Sequence, residues 1–336
     1  MKLLVISTDK KIFDNRSAVA LRQIEYAKKY EEMHIVIFSD RNYTENTLGN
    51  NIWIYPTRSS SKWLYVLDAL KLGRFIARRR GITHITCQDP FETGLVGALI
   101  KNREKSGDGK PLELELQIHT DIGSPYFKNF TFLNKVRIII SKYTFIRADK
   151  VRVVSNRIKE YVSKYFDEEK IEVRPIAVDT EKIKNAEIRV DLHKKYTQFS
   201  KIILMASRLE KEKNISLAFH SFKFVLEKIP QALLVVVGEG SEMEMLKNLA
   251  EKLGIKDSII FEGWQSDLDI MSSYYKTCDC FLFTSYYEGY GMALVEAKAA
   301  GAKIVSTDVG VAREIGAKIV EFEPKSVSNG IIEEII

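Results

Sequence analysis

Short runs of apolar residues alternate with amphipathic stretches of helical period along the whole sequence of 336 residues. In the first half, residues 3–7, 34–38 and 84–87 predict strands, and residues 18–30 and 63–79 predict helices between them. Strands this apolar are typical of parallel sheets that are buried by helices on both faces. The alternation therefore predicts a β-α-β organisation.

The second half repeats this order of elements. Residues 201–206, 233–237 and 280–284 predict strands, and residues 215–229 and 292–300 predict helices. A β-α-β order that recurs in both halves predicts the α/β fold class, with two Rossmann-like doubly wound domains.

The join between the two halves falls near residues 175–189, where Pro175 and a polar stretch interrupt the pattern. The total length also suits two domains better than one core. We expect an N-terminal domain of residues 1–180 and a C-terminal domain of residues 190–336.

Composition and charge narrow the class of protein. No apolar run approaches the roughly 18 residues of a membrane span. The N-terminus lacks the features of a secretory signal, and the three cysteines give neither a disulfide framework nor a zinc spacing. We expect a cytoplasmic protein without a metal site. Residues 1–180 carry 31 Lys and Arg against 22 Asp and Glu, so this half can attract an anionic lipid or a phosphorylated substrate.

The segment after the strand at 280–284 has the most distinctive local pattern. Gly289 and Gly291 form a turn that opens a helix, and the free N–H groups of a helix start bind anions. Glu288 lies just before the helix and Glu296 about one turn inside it, so each carboxylate can accept hydrogen bonds from sugar hydroxyls. The alternative is an ordinary strand–turn–helix with solvated glutamates.

Two further loops follow predicted strands, where open α/β sheets bind their ligands. Arg208 and Lys213 follow the strand at 201–206 and can both reach one diphosphate, although a charged surface loop is the alternative. Gly238 and Glu239 follow the strand at 233–237. They open a dinucleotide-type fingerprint that is incomplete, so this turn is better interpreted as lying beside a nucleotide base.

In order and spacing, these segments resemble family 4 retaining glycosyltransferases of the GT-B fold (glycosyltransferase group 1). The similar segments in the C-terminal half are 207–214, 237–240, 261–263 and 288–297, and those in the N-terminal half are 117–121 and 148–155. The resemblance implies two domains that face a central cleft, and it covers nearly the whole chain. It also implies a nucleotide-diphosphate sugar as donor substrate, with no cofactor.

The resemblance implies a role for each motif residue. Arg208 and Lys213 would hold the diphosphate and stabilise the leaving group without a metal ion. Glu288 would hold the donor sugar, Glu296 the ribose, and the turn at Gly238 and Glu239 the base.

The glycine-rich turn and the helix start would meet the phosphate and sugar through their backbone; these residues are Gly289, Tyr290, Gly291, Met292 and Ala293. From the N-terminal domain, His119 would reach the sugar near the reaction centre. Asp121 would orient His119 or the acceptor.

Three departures from the family pattern are visible. The first loop, residues 7–18, has no glycine, so Asn15 and Arg16 are expected to meet the acceptor with their side chains. The loop at 307–314 keeps one of two expected glycines. The family's closing helices are expected to be short or absent, because the sequence ends at Ile336 within a predicted helix.

The acceptor is expected to be a sugar or a lipid-linked sugar. Residues 127–147 combine apolar and basic side chains and suit contact with the inner face of a membrane, although a core helix with a solvated face is the alternative.

The sequence also bears on three other functions. One is a non-catalytic sugar-nucleotide-binding protein of the same fold. A nicotinamide-dependent oxidoreductase requires a Gly-x-Gly-x-x-Gly motif after the first strand, and residues 3–14 lack it. A nucleic-acid-binding protein is the third alternative. The aromatic residues do not form a stacking platform among the basic ones, so we expect no nucleic acid partner.

Overall fold

Each half of the chain folds around its own sheet. The computed structural model describes residues 1–336 and divides into two units, Met1–Arg174 and Pro175–Ile336.

The N-terminal unit contains an eight-stranded sheet with the order β3-β4-β2-β1-β5-β6-β7-β8. All neighbouring pairs are parallel except β3 and β4. The strands are β1 (Lys2–Ser7), β2 (Glu32–Ile37), β3 (Asn46–Leu48), β4 (Ile52–Pro56), β5 (His84–Cys87), β6 (Glu113–Ile118), β7 (Lys150–Val153) and β8 (Ile171–Val173). The helices are α1 (Ala18–Ala27), α2 (Tyr65–Arg80), α3 (Glu92–Lys101), α4 (Pro125–Phe130), α5 (Phe132–Phe145) and α6 (Asn156–Val162).

One face of this sheet changes from apolar to polar between β1 and β5. Leu3 and Val5 of β1 pack with β2, β4 and α1 in an apolar core. The strand register places His84 and Thr86 of β5 on the same face as Leu3 and Val5. Next to them on β6, Glu115 accepts a hydrogen bond from Thr86 Oγ1 at 3.0 Å.

The polar character continues across β6 to β8, where the same face carries Gln117, Arg152 and Glu172. All three side chains are half-buried. The prediction of strands buried on both faces is therefore wrong for this half of the sheet. The reason is visible in β6, where Glu and Gln alternate with Leu and Ile at a period of two.

The C-terminal unit contains a six-stranded sheet, all parallel, with the order β11-β10-β9-β12-β13-β14. Its strands are β9 (Lys201–Ala206), β10 (Ala232–Val237), β11 (Ile259–Gly263), β12 (Cys280–Phe283), β13 (Ile304–Thr307) and β14 (Lys318–Val320). Its helices are α7 (Thr180–Asn185), α8 (Leu192–Lys195), α9 (Ile215–Lys228), α10 (Met243–Leu253), α11 (Leu268–Thr277), α12 (Met292–Ala299) and α13 (Pro324–Ile335). The short remaining helices of the chain are 3-10 turns at Lys10–Phe13, Lys62–Leu64, Glu168–Lys170, Lys211–Lys213 and Lys256–Ser258.

Two apolar layers sandwich the C-terminal sheet. One contains Phe219 and Phe222 of α9, and the other contains Tyr275 of α11 with Leu294 of α12. The last helix, α13, packs against α9 within this same unit and buries Ile331 there. Both sheets are thus doubly wound, which confirms the predicted fold class. None of the thirteen helices has the length and apolar character that a bilayer span requires.

Candidate functional site

The loops that follow β9 and β12 lie side by side at the carboxyl edge of the C-terminal sheet. These strands pair with each other, and the strand order reverses between them, which is where doubly wound sheets bind ligands. Several hydrogen bonds join the loops. Tyr286 N donates to Glu212 O at 2.8 Å, and Thr284 Oγ1 donates to Lys213 O at 3.1 Å.

Lys213 and Glu288 form an ion pair between these two loops. The ammonium of Lys213 contacts Glu288 Oε1, and Ser285 Oγ donates to the same oxygen at 2.9 Å. Only 13% of the Lys213 side chain and 15% of the Glu288 side chain are exposed. A charge that is this strongly desolvated interacts more strongly with a neighbouring ion than a surface charge does.

Arg208 is held differently from Lys213. Its guanidinium is largely exposed, and Nη2 lies 2.8 Å from Glu212 Oε1. The two predicted cations are therefore on one loop but are paired with two different carboxylates.

The N-terminus of α12 lies at the end of the second loop. Gly291 caps the helix in a left-handed conformation, with φ of 90°, and no side chain caps it. The first N–H groups of a helix, here those of Met292 and Ala293, have no acceptor within the helix. They can therefore bind an anion, with support from the helix dipole.

A third loop, after β13, supports this turn. Val311 N donates to Tyr290 O at 2.9 Å. Gly310 has φ of 50°, and a Cβ at this position would lie 2.2 Å from Tyr290 O. Only glycine therefore allows the backbone of this loop to pack so closely against the glycine-rich turn.

Glu296 is half-buried inside the first turns of α12. The hydroxyl of Tyr275, a fully buried residue of α11, donates to Glu296 Oε2 at 3.0 Å. Burial raises the pKa of Glu296, and the hydrogen bond from Tyr275 acts in the opposite direction. One carboxylate oxygen is thus engaged by the protein.

The turn after β10 packs on the loop that carries Arg208. A Cβ at Gly238 would lie 1.8 Å from Ser207 O, so this approach requires glycine. Leu209 N donates to Glu239 O at 2.9 Å, and the Glu239 side chain is exposed. The predicted base-side turn is therefore adjacent to the predicted phosphate-side loop.

Sequence reasoning missed three supporting residues of this site: Glu212, Ser285 and Tyr275. Glu212 carries a local signal, because it lies four residues after Arg208. Tyr275 carries none, since it is on a separate helix and meets Glu296 only through the tertiary fold.

In the N-terminal unit, His119 directly follows β6. Its imidazole reaches solvent, and Nε2 lies 3.3 Å from Gln117 Oε1. Nearby protein atoms partly desolvate the ring, which disfavours its charged form. This desolvation and the positive charges of Arg152 and Arg22 lower the pKa of His119 to about 4. The ring is therefore neutral at physiological pH.

Asp121 is buried in the same loop and organises its backbone. Oδ1 accepts hydrogen bonds from Gly123 N and Ser124 N, each at 3.1 Å, just before α4. Asp121 therefore helps to set the path of the chain that leaves His119.

The glycine-free loop after β1 is fixed by side chains. Gln88, which follows β5, accepts at Oε1 from Ser7 Oγ at 2.7 Å and Thr8 N at 2.9 Å. Asn15 Oδ1 accepts from Asn46 Nδ2 at 2.9 Å. Arg16 is almost fully exposed and lies 4.0 Å from Asp14. Of the predicted acceptor-side residues in this loop, Asn15 is engaged within the unit and Arg16 reaches into solvent.

Most of the C-terminal unit is similar to a known protein family. Residues 190–327 match the family model of glycosyl transferases group 1. An uncharacterised glycosyltransferase of Methanocaldococcus jannaschii is 27% identical over 180 residues, which are 52% of this chain and 43% of that protein. The alpha-monoglucosyldiacylglycerol synthase of Streptococcus pneumoniae is 27% identical over 244 residues, which are 69% of this chain and 53% of that protein. The chain thus spans about half the length of these curated relatives.

Solved structures share the fold. The crystal structure of Anabaena HepE in complex with UDP superposes with a TM-score of 0.69 at 18% identity, and it covers 99% of this chain and 89% of that protein. This likeness supports the assignment of two doubly wound units.

Proposed function

We propose that the chain transfers a sugar from a nucleotide-diphosphate sugar to an acceptor, in keeping with the match of residues 190–327 to glycosyl transferases group 1. The observation that carries this proposal is the Lys213–Glu288 ion pair beside the uncapped start of α12. A desolvated cation, a carboxylate and the first N–H groups of a helix thus lie together at the switch point of one sheet.

The chemistry follows from these groups. When the sugar departs, negative charge accumulates on the terminal phosphate of the nucleoside diphosphate. Lys213, Arg208 and the N–H groups of α12 stabilise that charge, which is the electrostatic work that a metal ion does in other transferases. We therefore propose that the reaction needs no metal.

Donor binding rearranges the ion pair. A diphosphate competes with Glu288 for the ammonium of Lys213, because both are anions. Glu288 then becomes free to accept hydrogen bonds from sugar hydroxyls, while Ser285 continues to orient it. Glu296 binds the ribose through the oxygen that Tyr275 does not engage.

Transfer proceeds with retention of the anomeric configuration in this proposal. The acceptor hydroxyl attacks from the face that the diphosphate leaves, and the departing phosphate oxygen takes its proton. His119, neutral because its pKa is about 4, donates a hydrogen bond to the sugar near the reacting carbon and does not act as a general acid.

The acceptor in this proposal is a sugar or a lipid-linked sugar. A lipid-linked acceptor stays in a bilayer, so the enzyme would meet it at the inner face of a membrane. The exposed basic and apolar side chains of α5 suit such contact.

The decisive experiment follows nucleoside diphosphate release from UDP-, GDP- and ADP-sugars, with EDTA present, by purified protein. The matched variants are Lys213→Met and Lys211→Met, because Lys211 is an exposed lysine on the same loop. We expect turnover by wild type and by Lys211→Met, and a loss of about a hundredfold or more in Lys213→Met. The anomeric configuration of the product, measured by NMR, tests retention.

Other outcomes would overturn parts of the proposal. Tight binding of a nucleotide sugar without any turnover would identify a non-catalytic binding protein. Equal turnover by Lys213→Met and wild type would remove Lys213 from the donor site.

A further inference from the structure

Two helices on one side of the N-terminal sheet expose large apolar side chains that no part of that unit covers. On α5, Phe132, Ile139 and the following Ile146 are 81%, 70% and 78% exposed. On α2, Leu67 and Phe75 are more than half exposed, and Trp63 just before it is 91% exposed. Scattered exposed apolar residues are ordinary, but these are ordered along two helices.

The spacing aligns these side chains into stripes. Phe132, Ile139 and Ile146 recur every seven residues, which places them on one face of α5. That face lies opposite the buried residues Asn134, Ser141 and Thr144. The stripe therefore points away from the buried side of α5, which packs against α3.

A second stripe lies on the exposed side of α2. Leu67 and Phe75 lie opposite Ala69, Gly73 and Ile76, which pack towards the sheet and α3. Helix α3 packs against both α2 and α5. An ion pair of 2.9 Å between Arg137 of α5 and Glu92 of α3 fixes one of these contacts. The three helices thus form one layer, with the two stripes on its outer surface; we call this the α2–α5 surface.

The charges on this surface are predominantly positive. Helix α5 contains three basic residues and no acidic residue, and α2 contains five basic residues and one acidic residue. Glu92 pairs with Arg137, and Glu104 pairs with Arg74 and Arg78. Other cations on or next to these two helices are exposed; these are Lys62, Lys71, Arg79, Lys135 and Lys142.

We propose that the α2–α5 surface binds an anionic phospholipid bilayer, with both apolar stripes inserted at the headgroup level. This extends the membrane contact in the proposed function from one helix to two, and it adds Trp63 as an anchor. Basic residues around an apolar face match anionic headgroups, and tryptophan favours the membrane interface. A second copy of the chain is a poorer occupant, because two surfaces with this charge repel each other.

Cosedimentation of the full chain with phosphatidylcholine vesicles, with and without phosphatidylglycerol, tests the proposal. We expect binding to the anionic vesicles alone and a decrease at high salt. The variants F132S/I139S/I146S and W63S/L67S/F75S should each lose about tenfold or more of that binding. The control L21S/I188S/M245S removes three exposed apolar side chains elsewhere and should bind like wild type.

A second readout uses tryptophan fluorescence. Anionic vesicles should shift the emission of the wild type to the blue, and most of this shift should be absent in Trp63→Phe. Equal vesicle binding by wild type and both triple variants would overturn the proposal. So would a concentration-dependent dimer in light scattering that only these variants abolish, because it would identify a second copy as the occupant.

The outcome is separable from that of the proposed function. In the proposed function the nucleotide sugar binds the C-terminal unit, so the triple variants should keep the wild-type thermal shift with UDP-, GDP- and ADP-sugars. If the triple variants lose vesicle binding but keep the nucleotide response, the result supports lipid binding by the α2–α5 surface. An absent nucleotide response in the wild type itself refutes only the sugar transfer.

Discussion

The ammonium of Lys213 is ion-paired with the carboxylate of Glu288, and both side chains are largely excluded from solvent. The pair connects the loop after β9 to the loop after β12. In this way two segments that are far apart in sequence form one site at the switch point of the C-terminal sheet.

The first prediction concerns the stability of this pair. Removing one partner of a desolvated pair leaves the other charge unpaired, so Lys213→Met should lower the free energy of unfolding by about 3 kcal/mol. Adding Glu288→Gln should recover part of that loss, because the amide carries no charge. Urea unfolding measures both effects. Lys211→Met, on the exposed side of the same loop, should change stability by less than about 0.5 kcal/mol. Equal losses in the two lysine variants would contradict a special role of the pair.

Much of this site is predictable from sequence, because it depends on local pattern. Apolar runs mark the strands, and the residues after them are brought to one edge of a parallel sheet. Lys213 and Glu288 were accordingly identified from the loops that follow two strands. Their direct contact was not predicted, since it depends on the pairing of β9 with β12, which no local pattern specifies.

The parts that escaped prediction depend on tertiary contacts. Tyr275 is one of several aromatic residues on an amphipathic helix, and only the packing of α11 against α12 brings it to Glu296. The polar face of β5 to β8 was missed for a different reason. The apolar residues of β6 signal a strand correctly, but the alternate positions decide whether its second face is buried.

The second prediction concerns the loop after β13. Alanine at Gly310 would place its Cβ 2.2 Å from the carbonyl oxygen of Tyr290, so the loop or the glycine-rich turn must move. In the proposed function the turn precedes a helix start that binds the donor's diphosphate, so we expect Gly310→Ala to weaken binding of UDP, used as the probe nucleotide, by about tenfold or more. Isothermal titration with UDP measures the effect.

Gly316→Ala is the matched control for this variant. Gly316 also has a positive φ, of 74°, but a Cβ there meets nothing within 4 Å. It should lower stability by about 1 kcal/mol through backbone strain and leave UDP binding unchanged. If both variants bind UDP equally well, the support of Tyr290 by this loop does not matter for the site.

The third prediction concerns pH and Asp89, which follows β5. Burial raises the pKa of Asp89 to about 6, while Oδ1 accepts from Phe91 N at 2.7 Å. The usual pKa of an aspartate is about 4, so the folded state retains a proton that the unfolded state loses between about pH 4 and 6. The contribution of Asp89 to stability therefore falls as pH rises through this window and stays low above it.

Asparagine keeps the acceptor oxygen without the charge. Asp89→Asn should be more stable than wild type by about 1–2 kcal/mol above pH 6, with no advantage at pH 4. Asp108→Asn gives the opposite sign, because hydrogen bonds from Ser106 and Lys110 lower the pKa of Asp108. That variant should be less stable than wild type at pH 7. Thermal unfolding across the pH range would refute the assignment if Asp89→Asn showed a constant difference.

The fourth prediction links Tyr275 to ligand binding through Glu296. The Tyr275 hydroxyl stabilises the ionised carboxylate, so Tyr275→Phe should raise the pKa of Glu296 further above its ordinary value. In the proposed function the ribose is bound by the carboxylate, and UDP affinity then increases as Glu296 ionises with rising pH. The midpoint of this increase should move up by about one pH unit in Tyr275→Phe. Tyr274→Phe removes the neighbouring hydroxyl, which donates to Glu262 instead, and should leave the midpoint in place. Retained UDP binding with an unchanged midpoint in Tyr275→Phe would show that Glu296 does not contact the ribose.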